Sequence, residues 1–190
     1  MQVSLIIAAI AAILLSTVTA EDCCSVTGTN ASVELGNWLE CQVNNFFPYP
    51  ANGAWDGAYD EAFSPDLLAT FNQSHFNFDG FKALAKTFNT SIGVSFKKFE
   101  HGFHSTVGVP NSNGDKGGFV YATGFEGGST VLGTDVWYED AAFAVIKDVG
   151  GGERKIVEWR ESSNIPVSIP LPPTQEWTCG LDASSASPGS

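Results

Sequence analysis

The chain has 190 residues and a formal net charge of −12, from 9 basic and 21 acidic side chains. So acidic a balance argues against nucleic acid and anionic membrane surfaces, whose recognition depends on Lys and Arg. With 43% hydrophobic and 12% aromatic residues, the chain can bury a real core, which argues against wholesale disorder.

The first twenty residues carry no charged side chain, and an apolar run spans Val3 to Leu15. Val18 and Ala20 occupy the positions a signal peptidase prefers, so residues 1–20 read as a cleaved signal peptide. The expectation is a secreted, extracellular protein with no membrane attachment after cleavage. Residues 21–32 form a polar lead-in. The even set Cys23, Cys24, Cys41 and Cys179 suggests two disulfides in such a compartment. A bond between the adjacent Cys23 and Cys24 would be strained. The favoured pairings therefore put one of them on Cys41 and the other on Cys179. Three glycosylation sequons, at Asn30, Asn72 and Asn89, agree with export.

From Val33 the apolar positions Leu35, Trp38, Leu39, Val43 and Phe46 follow a helical stripe, with Ser32 as N-cap and Pro48 as the stop. A second helix places Trp55, Ala58, Tyr59, Ala62 and Phe63 on one face, and Ser64-Pro65 ends it. Residues 66–76 read as one strand. If Asn72 carries sugar and faces outward, alternation turns Phe71, Gln73 and His75 inward. Asp79 then caps a third helix that carries Phe81, Leu84, Ala85 and Phe88 and ends at Gly93.

Val94–Val109 is a strand with a break of phase. Phe96 and Phe99 are three apart, which predicts a bulge near Lys97-Lys98. Beyond it Phe99, His101, Phe103 and Val107 share a face. Phe119, Tyr121, Thr123 and Phe125 alternate as one half-buried strand. A long strand from about Leu132 to Lys147 and a last one from Lys155 to Glu161 are separated by Gly150-Gly151-Gly152. From Asn164 the chain turns proline-rich and reads as a tail, residues 164–190, pinned by Cys179.

Three stretches carry a family likeness: Phe63-Ser64-Pro65-Asp66, Asp79-Gly80-Phe81-Lys82-Ala83-Leu84, and Gly152 to Arg160 at the last hairpin. In this order of elements the chain resembles the nuclear-transport-factor-2-like superfamily and is similar to its SnoaL-like domains over about residues 33–163. The resemblance implies an α+β fold, with three N-terminal helices packed on a strongly bent, mixed, mostly antiparallel sheet that forms a cone. It also makes a homodimer through the outer sheet face an option. The superfamily holds isomerases, cyclases and dehydratases as well as domains that only bind, so the fold does not decide the function.

Enzymes of this type place an acid or base inside an apolar cone, where burial tunes it. The candidates here are His75, Tyr59, His101 and Asp135, each of which also has a plain packing or surface explanation. Trp55, Phe71, Gln73, Phe99, Phe103, Tyr121 and Trp137 are the expected ligand-binding wall. Ketosteroid isomerases have a carboxylate base about where Gln73 falls and a protonated aspartate near Phe143-Ala144. Neither carboxyl is present at those positions, which counts against that chemistry. His101 and His104 are expected on opposite strand faces, so no shared metal is expected, and no cofactor motif is found. The leading expectation is a secreted domain binding a small hydrophobic molecule. The alternatives are a cofactor-independent lyase, cyclase or isomerase acting on a polyketide- or steroid-like substrate, or a structural or host-interaction protein with a filled cone.

Overall fold

The computed structural model describes residues 30–49 and 54–166. Residues 1–20, which read as a signal peptide, most of the lead-in with Cys23 and Cys24, and the tail from residue 167 with Cys179 lie outside the described residues. In chain order the elements are α1 (Ala31–Phe46), α2 (Trp55–Ala62), β1 (Phe63–Phe71), β2 (Ser74–Phe76), α3 (Phe78–Ser95), β3 (Phe96–Pro110), β4 (Gly118–Thr130), β5 (Asp135–Gly150) and β6 (Glu153–Ser163). The six strands form one open sheet in the order β2-β1-β6-β5-β4-β3. Only β1 and β6 run parallel; the other pairs are antiparallel. The architecture is the expected α+β cone, with the helices N-terminal to the long strands.

Both longer helices are capped two residues earlier than expected. Asn30 Oδ1 accepts from the Val33 amide at 3.1 Å, and Asn77 Oδ1 accepts from the Gly80 amide at 2.9 Å. Ser32 is thereby freed, and its hydroxyl donates to the Gly108 carbonyl of β3. Asp79 falls in the first turn of α3, where a negative charge suits the helix dipole. Cys41, buried on α1, is disulfide-bonded.

The expected strand over 66–76 is a hairpin. Asn72 and Gln73 form its turn, and Asn72 adopts φ 53°, a left-handed conformation that Asn tolerates better than most residues. The turn is tied to β6, because Asn72 Oδ1 accepts from the Ser163 amide at 3.0 Å. The second helix ends at Ala62, just before Ser64-Pro65 as expected, although Phe63, expected on its face, opens β1, and β1 runs on through Ser64-Pro65. That pair falls where β1 and β6 shift register, between Phe63 and Leu68, and there a residue without an amide proton costs no ladder bond.

The expected bulge in β3 is present between Phe96 and Lys98. A second one, between Phe103 and Ser105, turns Val107 outward, where it is 54% exposed. In β4 the alternation has the expected period with the opposite face inward. Val120, Ala122 and Glu126 are buried, while Phe119 and Tyr121 are exposed. Crowding explains the choice. α1 crosses the concave side so closely that a Cβ on Gly108 would lie 2.3 Å from the Ser32 carbonyl, and one on Gly118 would lie 2.8 Å from Leu35 Cδ2. Small inner residues are the ones that fit.

The core joins Leu35 and Leu39 of α1, Tyr59 of α2, Phe63 of β1, Leu84 of α3 and Ile156 of β6. Each such side chain contributes about 1.5–3 kcal/mol on burial. Among the described residues, no helix is long and apolar enough to cross a membrane.

Candidate functional site

The cone encloses a cavity of about 100 Å³. That is room for far more than one water molecule. Val43 and Phe46 of α1, Phe47 at its C-cap, and Leu84 and Phe88 of α3 form one wall. Phe71, Phe103, Ala122, Ala142 and Trp159 of the sheet form the other. Against this apolar lining stand three carboxyls, Glu126, Asp140 and Glu161, together with His101.

The three acids come from adjacent strands, and the ladder register explains how they meet. Asp140 of β5 lies opposite Gly124 of β4 and opposite Ser163 of β6. Glu126 stands two residues beyond Gly124. Glu161 stands two residues before Ser163 and opposite Ala142. The three side chains therefore share one face in a diagonal row, each within reach of the next. Gly124 matters because it has no side chain between them: a Cβ there would lie 2.9 Å from Asp140 Oδ1.

Hydrogen bonds hold the two outer members. Ser163 Oγ donates to Glu126 Oε1 at 3.3 Å, and the Trp159 indole donates to Glu161 Oε2 at 2.8 Å. Asp140 has no hydrogen bond among the described residues. Burial and, next, the repulsion of Asp140 push Glu126 up to about 7, against a smaller opposing pull from Ser163. Burial, then Glu126, push Glu161 up to about 8. Asp140 is also raised, by burial first and Glu139 second, while His104 pulls it back. Like charges in one apolar site cannot all ionise cheaply, so the row keeps protons that exposed carboxyls would lose.

His101 faces the cavity from β3 and stacks on Phe47, with ring centroids 3.9 Å apart and planes 7° apart. Burial lowers its pKa to about 4, so it is neutral at pH 7. His104 lies on β3 beyond it, and its Nε2 is 2.8 Å from Glu139 Oε2.

The other expected site residues are scattered. Phe71 and Phe103 line the cavity with His101. Tyr59 touches it too, but its hydroxyl donates to the Phe78 carbonyl at 2.9 Å, and burial raises its pKa. Phe99 packs in a separate cluster with Ile92 and Phe96. His75 lies on β2 opposite Thr70, outside the cavity lining, and Gln73 is exposed on the hairpin turn. Trp55 is half-buried at the start of α2, also outside the lining. Asp135 is exposed at the start of β5 and accepts from Ser129 Oγ at 2.6 Å. Tyr121 and Trp137 lie on the convex face, 56% and 48% exposed. Sequence reasoning missed Glu126, Asp140 and Glu161. The available signal was an acid sharing a strand face with small residues, as in Ala122-x-Gly124-x-Glu126 and Asp140-x-Ala142-x-Ala144.

No protein-family model matches the chain, and no curated protein does. Solved structures do match. Nuclear transport factor 2 from Cryptosporidium parvum is 14% identical with a TM-score of 0.50, over 74% of this chain and 100% of that one. The β subunit of the benzoate 1,2-dioxygenase from Burkholderia mallei is 14% identical with a TM-score of 0.52, over 68% of this chain and 88% of that one. At such identities the likeness concerns the fold, and it agrees with the helix order and the open bent sheet described above: the chain has the nuclear-transport-factor-2-like fold.

Proposed function

We propose that the cone binds a small, largely apolar molecule and engages its polar group with Glu126, Asp140 and Glu161. The observation that carries this reading is the row of three carboxyls set into an otherwise aromatic and aliphatic cavity. Burying acids is costly, and packing alone gives no reason to line a hollow with them. The leader-like first twenty residues and the three sequons support a secreted site of action.

Mass spectrometry of small molecules extracted from the purified protein tests the reading. The control is Ala142→Phe, which places a ring in the cavity. A compound recovered from wild type and absent from the control is the expected result. Empty wild-type protein, or equal recovery from both, counts against a binding site.

One observation favours a second reading, that of a cofactor-independent lyase, cyclase or isomerase. The carboxyls are held in different environments, and Glu161, pushed up to about 8, stays protonated at neutral pH. Such a group donates a proton while a neighbour with a lower pKa accepts one. In that case Glu161→Gln abolishes turnover of a bound substrate and leaves binding within a fewfold of wild type.

A further inference from the structure

We infer that the cone selects ligands that carry a basic amine on an apolar body and rejects carboxylic acids of the same shape. This inference rests on the ligand-binding reading above.

The argument begins with charge. Three carboxyls project from adjacent strands into the cavity, and among the described residues lining it there is no Lys or Arg. His101, the lining side chain with ring nitrogens, is stacked flat on Phe47 and has no hydrogen bond among the described residues. His104, which attracts Asp140, is itself exposed and bound to Glu139. Arg160 lies exposed beside Glu158. The described wall thus contains several acids and no Lys or Arg, and its one histidine, His101, is neutral at pH 7.

Unfilled hydrogen-bonding capacity points the same way. Glu126 is only 7% exposed, and one of its oxygens accepts from Ser163. Its other oxygen, and both oxygens of Asp140, have no hydrogen-bond donor among the described residues. A carboxylate accepts several hydrogen bonds and an ammonium offers three donors, so one amine head can serve two neighbouring acids. Aromatic faces complete the cage. Phe71 pairs with Glu161 across β1 and β6, and Trp159 donates to the same carboxyl. A cation beside such rings gains further attraction. A carboxylate ligand would instead add a fourth acid to a site whose own acids already ionise with difficulty. An alcohol can hydrogen-bond but brings no opposite charge.

Three ligands with one body test the idea: benzylamine, benzyl alcohol and benzoate, titrated at pH 7.5. The shift of the Trp159 indole N–H resonance is the readout, because it reports on Glu161 directly. Benzylamine should bind at least about tenfold more tightly than benzyl alcohol, with benzoate the weakest. If the alcohol binds as well as the amine, or benzoate binds best, the inference is overturned and the binding reading stands. If none of the three moves the resonance, both fall. In the double variant Glu126→Gln with Asp140→Asn, the amine preference should collapse toward parity. A preference that persists in the folded double variant also overturns the inference. Should that variant fail to fold, the ranking on wild-type protein decides alone.

Discussion

Gly124 stands opposite Asp140 across the β4–β5 ladder, and the Cβ it lacks would lie 2.9 Å from Asp140 Oδ1 and 2.6 Å from the Gly102 carbonyl oxygen. The carboxyl can swing aside; the β3 backbone cannot do so cheaply. Gly124→Ala should therefore destabilise the protein by about 1–3 kcal/mol, even though alanine restricts the unfolded chain. Urea unfolding measures this. A variant as stable as wild type would mean that β3 and β4 separate freely at this point, contrary to the packing described.

The carboxyl row should make stability depend on pH in a particular direction. Glu161 has a folded pKa of about 8 against an ordinary 4.5, so the folded state holds the proton more tightly than the unfolded state. Below the ordinary value the two states are protonated alike and nothing is lost. As pH rises from about 4.5 to about 8, the unfolded chain ionises first and native stability falls. Glu161→Gln keeps an acceptor for the Trp159 indole and removes the titration. Its stability relative to wild type should rise across that window by up to a few kcal/mol. Denaturant midpoints at pH 5 and pH 8.5 supply the test, and a difference that does not change with pH would refute the assignment.

How much of this was visible beforehand differed by element. The α2 stripe of Trp55, Ala58, Tyr59 and Ala62 was legible because a helix writes its buried face into local spacing. The β3 bulge was legible because Phe96 and Phe99 break a period of two. The face of β4 was not. Phe119 and Tyr121 alternate with Val120 and Ala122, so both faces look apolar, and only the close crossing of α1 selects the smaller set. The acids were hidden for a related reason. Positions 126, 140 and 161 form no local motif, and only the registers of two ladders bring them together. Alternation turns His75 inward only if Asn72 and Gln73 continue the strand. Their turn removes them from the alternation that Phe71 starts.

Tyr59 separates a packing role from a chemical one. Its ring lies among Phe46, Phe63 and Phe78, and its hydroxyl is engaged by the Phe78 carbonyl at 2.9 Å. Tyr59→Phe keeps the ring and strands one carbonyl, so it should cost about 1 kcal/mol. Ligand affinity should stay within twofold of wild type. Parallel unfolding and binding measurements check both. A tenfold loss of affinity with unchanged stability would return Tyr59 to the set of ligand-contacting groups.

The sequons can be ranked by what their amide nitrogens do. Sugar attaches to the Asn nitrogen. Asn30 and Asn72 are exposed and use their side-chain oxygens, for the Val33 amide and the Ser163 amide respectively. Neither nitrogen donates a hydrogen bond among the described residues. Asn89 is half-buried on α3 and donates its nitrogen to the Pro48 carbonyl just beyond α1. A glycan there must displace that contact and part α3 from the segment after α1. Expression through a eukaryotic secretory pathway, followed by enzymatic deglycosylation in heavy-oxygen water and peptide mass spectrometry, should show Asn30 and Asn72 occupied and Asn89 largely bare. Full occupancy at Asn89 would mean that the bond to Pro48 is dispensable and that α3 tolerates a bulky group where it meets the end of α1.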